Sequence, residues 1–160
     1  MIPAMSRSVL DAPAFTIATG LGSGYSPFAP GTAGSLVGLL LFWPMRSWPL
    51  LWQLTACVAL FLVGTLCATR VAKRVGREDP GIVVVDEIVG MWVALLLVPF
   101  SAWTAAAGFV LFRAMDVVKP YPARDLESLH GGLGIMADDV MAAVYANLAL
   151  QVLVVISRFL

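Results

Sequence analysis

Residues 88–112 read IVGMWVALLLVPFSAWTAAAGFVLF, an apolar run without a charged side chain and with Pro99-Phe100-Ser101 near its middle. The run is long enough for one membrane-spanning helix, which needs roughly 20 residues, but a turn at Pro99 would divide it into a helical hairpin. A single span would place the flanking segments on opposite sides of a membrane, whereas a hairpin would place them on the same side. The distribution of charge along the rest of the chain distinguishes these two topologies.

The cations favour the hairpin. With a hairpin, the segments around 1–30, 69–87 and 113–138 share one side of the membrane. That side then holds Arg7, Arg70, Lys73, Arg74, Arg77, Arg113, Lys119 and Arg124. Only Arg46 and Arg158 remain opposite, whereas a single span would move three of the eight cations across and leave five. The positive-inside rule therefore predicts a hairpin, with these three segments in the cytoplasm.

The composition is that of a membrane protein. Of 160 residues, 60% are hydrophobic and 12% are charged, and the mean hydropathy is +0.90, which excludes an ordinary soluble domain. We expect one all-α domain over residues 1–160: a compact polytopic membrane helical bundle with short or re-entrant helices and an active site on its cytoplasmic face. Cys57 and Cys67 lie in an apolar run and are expected to act as small hydrophobic residues. The formal net charge is zero, and we expect no nucleic-acid partner.

The other segments alternate between loops and apolar runs. Residues 20–35 are rich in glycine and proline, and this composition predicts a structured loop. Residues 36–45 are too few to span a membrane at ~1.5 Å per residue and predict a short or re-entrant helix. Residues 48–68 and 135–156 predict full spans. The N-terminus lacks the pattern of a signal peptide, so we expect no cleaved leader.

All ten carboxylates fall on the predicted cytoplasmic side. They are Asp11, Glu78, Asp79, Asp86, Glu87, Asp116, Asp125, Glu127, Asp138 and Asp139. The positive-inside rule explains cations but not acids. Several of these acids lie at the ends of apolar helices, where an ionised group is costly unless it is paired, hydrated or bound to a metal. This pattern indicates a functional site on that side.

Two pairs of adjacent acids lie at predicted helix starts. Asp86 and Glu87 interrupt an apolar run, and they either interact with the helix dipole or ligate a hard cation such as Mg²⁺. Asp138 and Asp139 pose the same question. Because adjacent helical residues point about 100° apart, we expect one of these two to ligate and the other to support it.

A third acid and two cations follow the apolar run. Asp116 comes three residues after Arg113. It either forms an intrahelical ion pair with Arg113 or ligates the metal. Arg113 and Lys119 precede a helix stop at Pro120 and are either phosphate partners or anchors to lipid headgroups. His130 is solitary, and we interpret it as a loop residue without a catalytic role.

Residues 29–35, APGTAGS, lead into an apolar helix. Glycines allow close approach of the backbone, and free N–H groups at a helix start can hold a phosphate. The alternative is a capped helix entry in which Thr32 or Ser35 is the cap.

Five segments together resemble the phosphatidylglycerophosphatase A family. They are 18–24 (ATGLGSG), 29–35 (APGTAGS), 79–87 (DPGIVVVDE), 112–122 (FRAMDVVKPYP) and 132–139 (GLGIMADD), and they follow the order of the family. The resemblance implies an all-helical enzyme of the bacterial inner membrane that hydrolyses the phosphomonoester of phosphatidylglycerophosphate to phosphatidylglycerol. It also implies the use of Mg²⁺, which agrees with the acids.

The residues and the resemblance together give a hypothesis for the mechanism. The predicted catalytic residues are Asp86, Glu87, Asp116 and Asp139. The predicted Mg²⁺ ligands or their supports are Asp86, Glu87, Asp116, Asp138 and Asp139. The predicted substrate contacts are Thr32, Gly34, Ser35, Arg113 and Lys119. Water activated by the metal would attack phosphorus in line, and an aspartyl-phosphate intermediate is the alternative.

Two other functions would also place acids at helix ends. One is a CDP-alcohol phosphatidyltransferase, although its signature of an Asp-Gly, an Ala-Arg and spaced aspartates does not occur here. The other is a cation-coupled transporter, although no internal repeat is evident. The expected partners are phosphatidylglycerophosphate and membrane lipids. Association into a homo-oligomer is left open.

Overall fold

The computed structural model describes residues 9–159, which form helices and the loops between them. The α-helices in chain order are α1 (Asp11–Ala18), α2 (Pro30–Met45), α3 (Leu50–Val75), α4 (Val85–Leu95), α5 (Ala102–Val118), α6 (Ala123–Leu126) and α7 (Gly132–Ile156), and a 3₁₀ turn covers Ser23–Tyr25. No strand occurs within residues 9–159, so the predicted all-α fold is confirmed. Arg7, one of the cations assigned to the cytoplasm, lies outside the described residues.

Helices α3 and α7 are long and apolar enough to cross a membrane, with 26 and 25 residues. At ~1.5 Å per residue their lengths are roughly 39 and 37 Å, and they correspond to the two predicted full spans. Leu51, Leu62 and Leu66 of α3 each expose more than half of their surface, which suits a side that faces lipid rather than water. Cys57 and Cys67 are free and buried in the bundle, as expected of small hydrophobic residues.

The run 88–112 forms a helical hairpin, as its sequence predicts. Helices α4 and α5 are separated by a connection that contains Pro99, which has no N–H donor and disfavours helix at the residue before it. Ser101 caps the start of α5. Its Oγ accepts a hydrogen bond from Thr104 N at 3.2 Å, and Thr104 Oγ1 accepts one from Ser101 N at 2.8 Å. This capping box satisfies two donors that the turn would otherwise leave unpaired.

Helix α2 begins earlier than predicted. The prediction of a loop over 20–35 is wrong for its last six residues, because α2 starts at Pro30. Proline suits the first helical position, where its missing N–H costs nothing and its fixed φ is already helical. Gly34 is tolerated inside the helix because it allows close packing: a Cβ there would lie 2.7 Å from Val84 Cβ. The predicted short helix at 36–45 is the remainder of α2.

Two short helices, α2 and α4, end near the end of the bundle that carries Arg46, and a side-chain amide closes each of them. Helix α4 has 11 residues, or roughly 16 Å, about half of a ~30 Å hydrocarbon core. Asn147 of α7 donates Nδ2 to three carbonyls at its end, at 2.7–3.2 Å. Gln53 of α3 donates Nε2 to three carbonyls at the end of α2, at 3.0–3.4 Å. These amides supply partners that lipid cannot provide.

Helix α4 lies at the centre of the bundle and packs against α2, α3, α5 and α7. Small residues make the close contacts with α7, where Ala142 and Ala146 are completely buried. Gly90 of α4 is similarly constrained, because a Cβ there would overlap the ring of Phe112. Trp92 satisfies its indole N–H by donating to Gly38 O at 2.9 Å. These contacts hold the start of α4 in a fixed position.

The helix directions define two ends of the bundle. The starts of α4 and α7 and the end of α5 meet at one end, while Arg46 lies at the other, with its guanidinium 5.9 Å from the centre of the Phe100 ring. Among the described residues, the first end carries Arg70, Lys73, Arg74, Arg77, Arg113, Lys119 and Arg124. The second end carries Arg46 and Arg158. This division is the one that the hairpin topology predicts.

Candidate active site

A cavity of about 520 Å³ opens at the more highly charged end of the bundle. Its wall is formed by the start of α2, the 78–83 loop, the starts of α4 and α7, the end of α5 and the 127–131 loop. Separate stretches of sequence therefore supply its polar groups. Its acidic side chains are Glu78, Asp79, Asp86, Glu87, Asp116, Glu127, Asp138 and Asp139.

Three of these acids form a compact cluster. Asp86, Glu87 and Asp139 each offer a carboxylate oxygen, and the three oxygens lie within 4.8 Å of one another. Each of the three side chains also has a buried oxygen without a hydrogen-bond partner: Asp86 Oδ1, Glu87 Oε2 and Asp139 Oδ2. Buried carboxylate oxygens are normally paired, because an unpaired one has lost its water and gained nothing in return. Protein groups alone therefore do not supply partners for these three buried oxygens.

A hard divalent cation fits this cluster. Mg²⁺ prefers oxygen ligands and is usually bound through one or two carboxylates, with further positions left for water and phosphate. Three carboxylates close together repel one another unless a cation or protons compensate. The cluster consists of carboxylates alone, and this donor set favours Mg²⁺ or a similar ion over softer transition metals.

Helix packing brings the three acids together from distant parts of the sequence. Asp86 and Glu87 lie in the first turn of α4, and Asp139 lies two turns into α7, which packs against α4. Gly90 permits the close approach of the two helices, since a Cβ there would meet Asp139 O at 3.4 Å as well as the Phe112 ring. The cluster therefore depends on how α4 and α7 are aligned.

Arg113 lies beside the cluster and connects it to the end of α5. Its Nη1 is 2.9 Å from Asp116 Oδ2 and 3.8 Å from Glu87 Oε1. The same nitrogen donates to Ser35 Oγ at 3.5 Å. The i,i+3 ion pair considered for Asp116 is thus present, and Asp116 also lines the cavity. Its role as a metal ligand stays a prediction.

Lys119 forms the second ion pair of the cavity. Its Nζ lies 2.6 Å from Asp138 Oδ2 and 3.7 Å from Glu127 Oε2. Partial burial lowers the pKa of Lys119, but the hydrogen bond and negative charge of Asp138 outweigh this effect and raise the pKa above its ordinary value. Lys119 is therefore a permanent cation. Asp138 Oδ1 also accepts a hydrogen bond from Asp139 N at 2.9 Å, so both of its oxygens are engaged.

The predicted phosphate contacts on α2 lie behind the cavity wall. Thr32, Gly34 and Ser35 are not among the residues that line the cavity. Gly34 packs on Val84, and Ser35 is completely buried with its Oγ donating to Gly31 O at 2.9 Å. Their contact with phosphate stays a prediction. Ser35 accepts a hydrogen bond from Arg113, so it would act on a phosphate through that side chain.

Ala29, Pro30 and Gly31 form this part of the wall, and Gly31 belongs to the segment whose backbone N–H groups are predicted to hold a phosphate. A Cβ at Gly31 would overlap Glu87 Oε1 and would lie 3.1 Å from both terminal nitrogens of Arg113. The signal in the sequence is its position directly after Pro30 at a helix start. Asp79, Glu127 and His130 also line the cavity. His130 is exposed in the loop before α7, and its lack of a catalytic role stays a prediction.

Sequence similarity to known proteins extends over most of the chain. The profile of the family described as Phosphatidylglycerophosphatase A matches residues 16–154. Phosphatidylglycerophosphatase A of Escherichia coli is 41% identical over 145 residues, which is 88% of this chain and 83% of the relative. The protein of the same name in Haemophilus influenzae is 40% identical over 147 residues, or 90% of each chain.

A third relative carries a different name. A Bacteroides thetaiotaomicron protein, provisionally named as a phosphatidylinositol-3-phosphatase, is 44% identical over 143 residues, covering 85% of this chain and 90% of the relative. All three names describe the removal of a phosphate from a lipid. No solved structure gives a significant match.

Proposed function

The chain belongs to the phosphatidylglycerophosphatase A family, and we propose that Asp86, Glu87 and Asp139 bind Mg²⁺ for its reaction. As a member of this family, the protein is a phosphoric monoester hydrolase that acts on a lipid. It converts phosphatidylglycerophosphate to phosphatidylglycerol and phosphate. Family membership supports neither a phosphatidyltransferase nor a transporter.

The observation that carries the metal proposal is the set of three buried carboxylate oxygens without partners, on side chains that offer oxygens within 4.8 Å of one another. When bound there, Mg²⁺ would offset the charge of the phosphate oxygens and lower the pKa of a water molecule. Asp116 and Asp138 support this site through Arg113 and Lys119, whose positive charges partly balance the excess of acids.

Arg113 is the best-placed residue to bind the terminal phosphate of the substrate, which the reaction removes. A guanidinium has five N–H donors in a planar fork, and the Asp116 and Ser35 contacts of Nη1 leave others to donate to phosphate oxygens. Its 3.8 Å distance from Glu87 Oε1 would put the bound phosphate next to the acid cluster. Arg113 would therefore orient phosphorus toward the cluster and stabilise the charge that spreads over its oxygens in the transition state.

The start of α2 supplies a second group of donors. Ala29, Pro30 and Gly31 line the cavity, and the first N–H groups of a helix have no partner within the helix. These donors and the positive end of the helix dipole favour an anion at this point of the wall. The absence of a side chain at Gly31 lets Glu87 and Arg113 lie directly against the start of α2, which brings these backbone donors close to the Arg113 guanidinium.

Lys119 fits the other end of the substrate headgroup. It lies six residues beyond Arg113, at the end of α5, and its Nζ is held by Asp138 at 2.6 Å. The headgroup carries a phosphodiester as well as the phosphomonoester, so two separated cations match its two separated charges. A cavity of about 520 Å³ has room for both groups and the glycerol between them.

The protein is membrane-associated, because two of its helices are long and apolar enough to span a membrane, and the relatives that it matches are bacterial. We place its cavity on the cytoplasmic face of a multi-pass protein of the inner membrane. The support for this placement is the excess of cations at the cavity end, together with two helices long enough to span the membrane.

Phosphate release in detergent micelles tests the function and the metal together. We expect release from phosphatidylglycerophosphate with Mg²⁺, loss of release with a chelator, and recovery when Mg²⁺ is returned in excess. The same assay with phosphatidylinositol 3-phosphate measures selectivity against the lipid in the name of the Bacteroides relative. Full activity after exhaustive chelation would contradict the Mg²⁺ proposal while leaving the hydrolase intact.

A further inference from the structure

Asn147 of α7 forms hydrogen bonds with the end of α4 that is remote from the acids. We propose that Asn147 is a positioning residue, which fixes the axial alignment of these two helices and thereby the spacing of Asp86, Glu87 and Asp139. This inference rests on the proposed Mg²⁺ site. It assigns a function to a residue outside the cavity and far from it along α7.

The amide of Asn147 closes the end of α4 in a defined orientation. Its Nδ2 donates to Val93 O at 3.2 Å, Ala94 O at 3.0 Å and Leu96 O at 2.7 Å. An amide nitrogen carries two hydrogens, so the three carbonyls share them. Gln151, one turn further along α7, donates Nε2 to Asn147 Oδ1 at 2.6 Å. This second bond prevents the amide from turning its oxygen toward the carbonyls.

The hydrogen bonds of Asn147 affect the positions of the acids because α4 and α7 are each continuous between Asn147 and the acid cluster. Asn147 is eight residues beyond Asp139 on α7, or roughly 12 Å along the helix axis. The carbonyls that it binds lie about the same number of residues beyond Asp86 and Glu87 on α4. A slip of one helix along the other by a single residue, ~1.5 Å, would separate oxygens that now lie within 4.8 Å of one another.

A restraint on the alignment of α4 with α7 is needed because the charges of the clustered acids act against it. Three carboxylates that converge without a cation repel one another and would push the starts of α4 and α7 apart. The buried apolar contacts between the helices involve small residues such as Ala142 and Ala146, which fit closely but have no directional bonds. The hydrogen bonds of Asn147 are directional, and in a medium without water the carbonyls have no competing partner.

The chain offers a matched control in Gln53. Its Nε2 closes α2 in the same way, with Met45 O at 3.1 Å and Trp48 O at 3.0 Å, and Gln53 is buried. Helix α2 carries none of the three acids. Loss of the Gln53 amide therefore exposes a similar number of carbonyls without changing the alignment of α4 and α7.

Mn²⁺ binding in detergent, followed by electron paramagnetic resonance, measures the site without the reaction. We expect Asn147→Leu to weaken Mn²⁺ binding about 10-fold, as loss of a residue that orients metal ligands does. Gln53→Leu should change it less than about twofold. In the phosphatase assay, Asn147→Leu should raise the Mg²⁺ concentration for half-maximal activity by a similar factor and leave the KM for the lipid unchanged at saturating Mg²⁺.

Gln151→Leu is a milder test that keeps the Asn147 side chain. It frees the amide to turn, and we expect Mn²⁺ binding to weaken by a smaller factor than in Asn147→Leu. Equal Mn²⁺ affinity in the wild type, Gln151→Leu and folded Asn147→Leu overturns the role of Asn147 and leaves the Mg²⁺ site standing. Equal weakening in Asn147→Leu and Gln53→Leu also overturns it, because the effect would then be one of general packing. A wild-type protein that binds no Mn²⁺ overturns the metal proposal itself.

Discussion

Lys119 Nζ lies 2.6 Å from Asp138 Oδ2, and this ion pair distinguishes the two adjacent acids of α7. Asp138 faces Lys119, whereas Asp139 faces Asp86 and Glu87 in the acid cluster. The division follows from the ~100° between successive helical side chains, which lets only one of two neighbours point at a given partner.

Replacing Asp138 should therefore affect the protein differently from replacing Asp139. Asp138→Asn leaves Lys119 with only the more exposed Glu127 at 3.7 Å, so we expect a loss of stability of up to about 3 kcal/mol. The Mg²⁺ concentration for half-maximal activity should change little. Thermal unfolding in detergent and Mg²⁺ titrations measure the two effects. A shift of the Mg²⁺ midpoint as large as that of Asp139→Asn would make Asp138 a ligand.

Arg113→Lys tests the phosphate contact. Lysine keeps the charge but loses the planar fork, and a hydrogen bond to a charged group contributes roughly 1.5–3 kcal/mol, so kcat/KM should fall about tenfold or more. Membrane insertion should be unaffected. The assay compares turnover per inserted molecule, because an arginine that only anchors the helix at the lipid surface would tolerate lysine. Near-normal turnover in a correctly inserted variant would show that Arg113 anchors the helix to lipid headgroups and does not bind the phosphate.

Gly31→Ala tests the wall at the start of α2. The added Cβ would overlap Glu87 Oε1 and crowd Arg113, so we expect a large loss of phosphate release in a protein that still folds. Gly81→Ala is the control, since Gly81 also lines the cavity but a Cβ there would meet no neighbouring atom within 4 Å. Wild-type activity in Gly31→Ala would show that Glu87 and Arg113 can move without consequence for the reaction.

The hairpin and the charged end of the bundle were predictable from the sequence. Both follow from local signals: an apolar run with Pro99 in its middle, and cations and acids confined to a few segments. The start of α2 was predicted too late, because the glycines of 31–34 indicate a loop when they are considered alone. They belong to a helix because Val84 and Glu87 pack where side chains would otherwise lie, which is a tertiary contact.

The long-range polar contacts could not be predicted. Asn147 lies about fifty residues from the carbonyls that it binds, and an amide in an apolar helix gives no indication of its partner. The same holds for the choice between Asp138 and Asp139. The spacing shows that the two diverge, but the rotation of α7 about its axis is set by packing against α4.

The topology predicts which positions a membrane-impermeant thiol reagent can reach. In a protein whose Cys57 and Cys67 are replaced by alanine, Gly76→Cys and Glu127→Cys should be protected in intact cells and labelled in inverted vesicles. Cysteines that replace Arg46 and Ser101 should give the opposite result, because both lie at the other end of the bundle. Labelling of Glu127→Cys in intact cells would place the cavity outside and contradict the cytoplasmic assignment.

The acid cluster should behave as a metal site when its charges are removed. Asp86→Asn and Asp139→Asn keep the size of each side chain but remove a negative charge, and an amide oxygen is a weaker ligand for a hard cation. Each variant should need at least about 10-fold more Mg²⁺ for half-maximal activity and lose most of its turnover. Asp116→Asn should also lose activity, because Arg113 then loses its 2.9 Å partner.

Asp125→Asn is the matched control for these substitutions. Asp125 is exposed in α6 and does not line the cavity, so the same chemical change there should leave turnover and Mg²⁺ dependence near the wild-type values. The comparison separates loss of a ligand from a general reduction of negative charge near the membrane surface. The metal site would be falsified if Asp86→Asn and Asp139→Asn both folded normally and kept wild-type turnover and Mg²⁺ dependence. Three carboxylates with buried, unpaired oxygens would then have to be balanced by protons alone, and activity would follow pH rather than Mg²⁺.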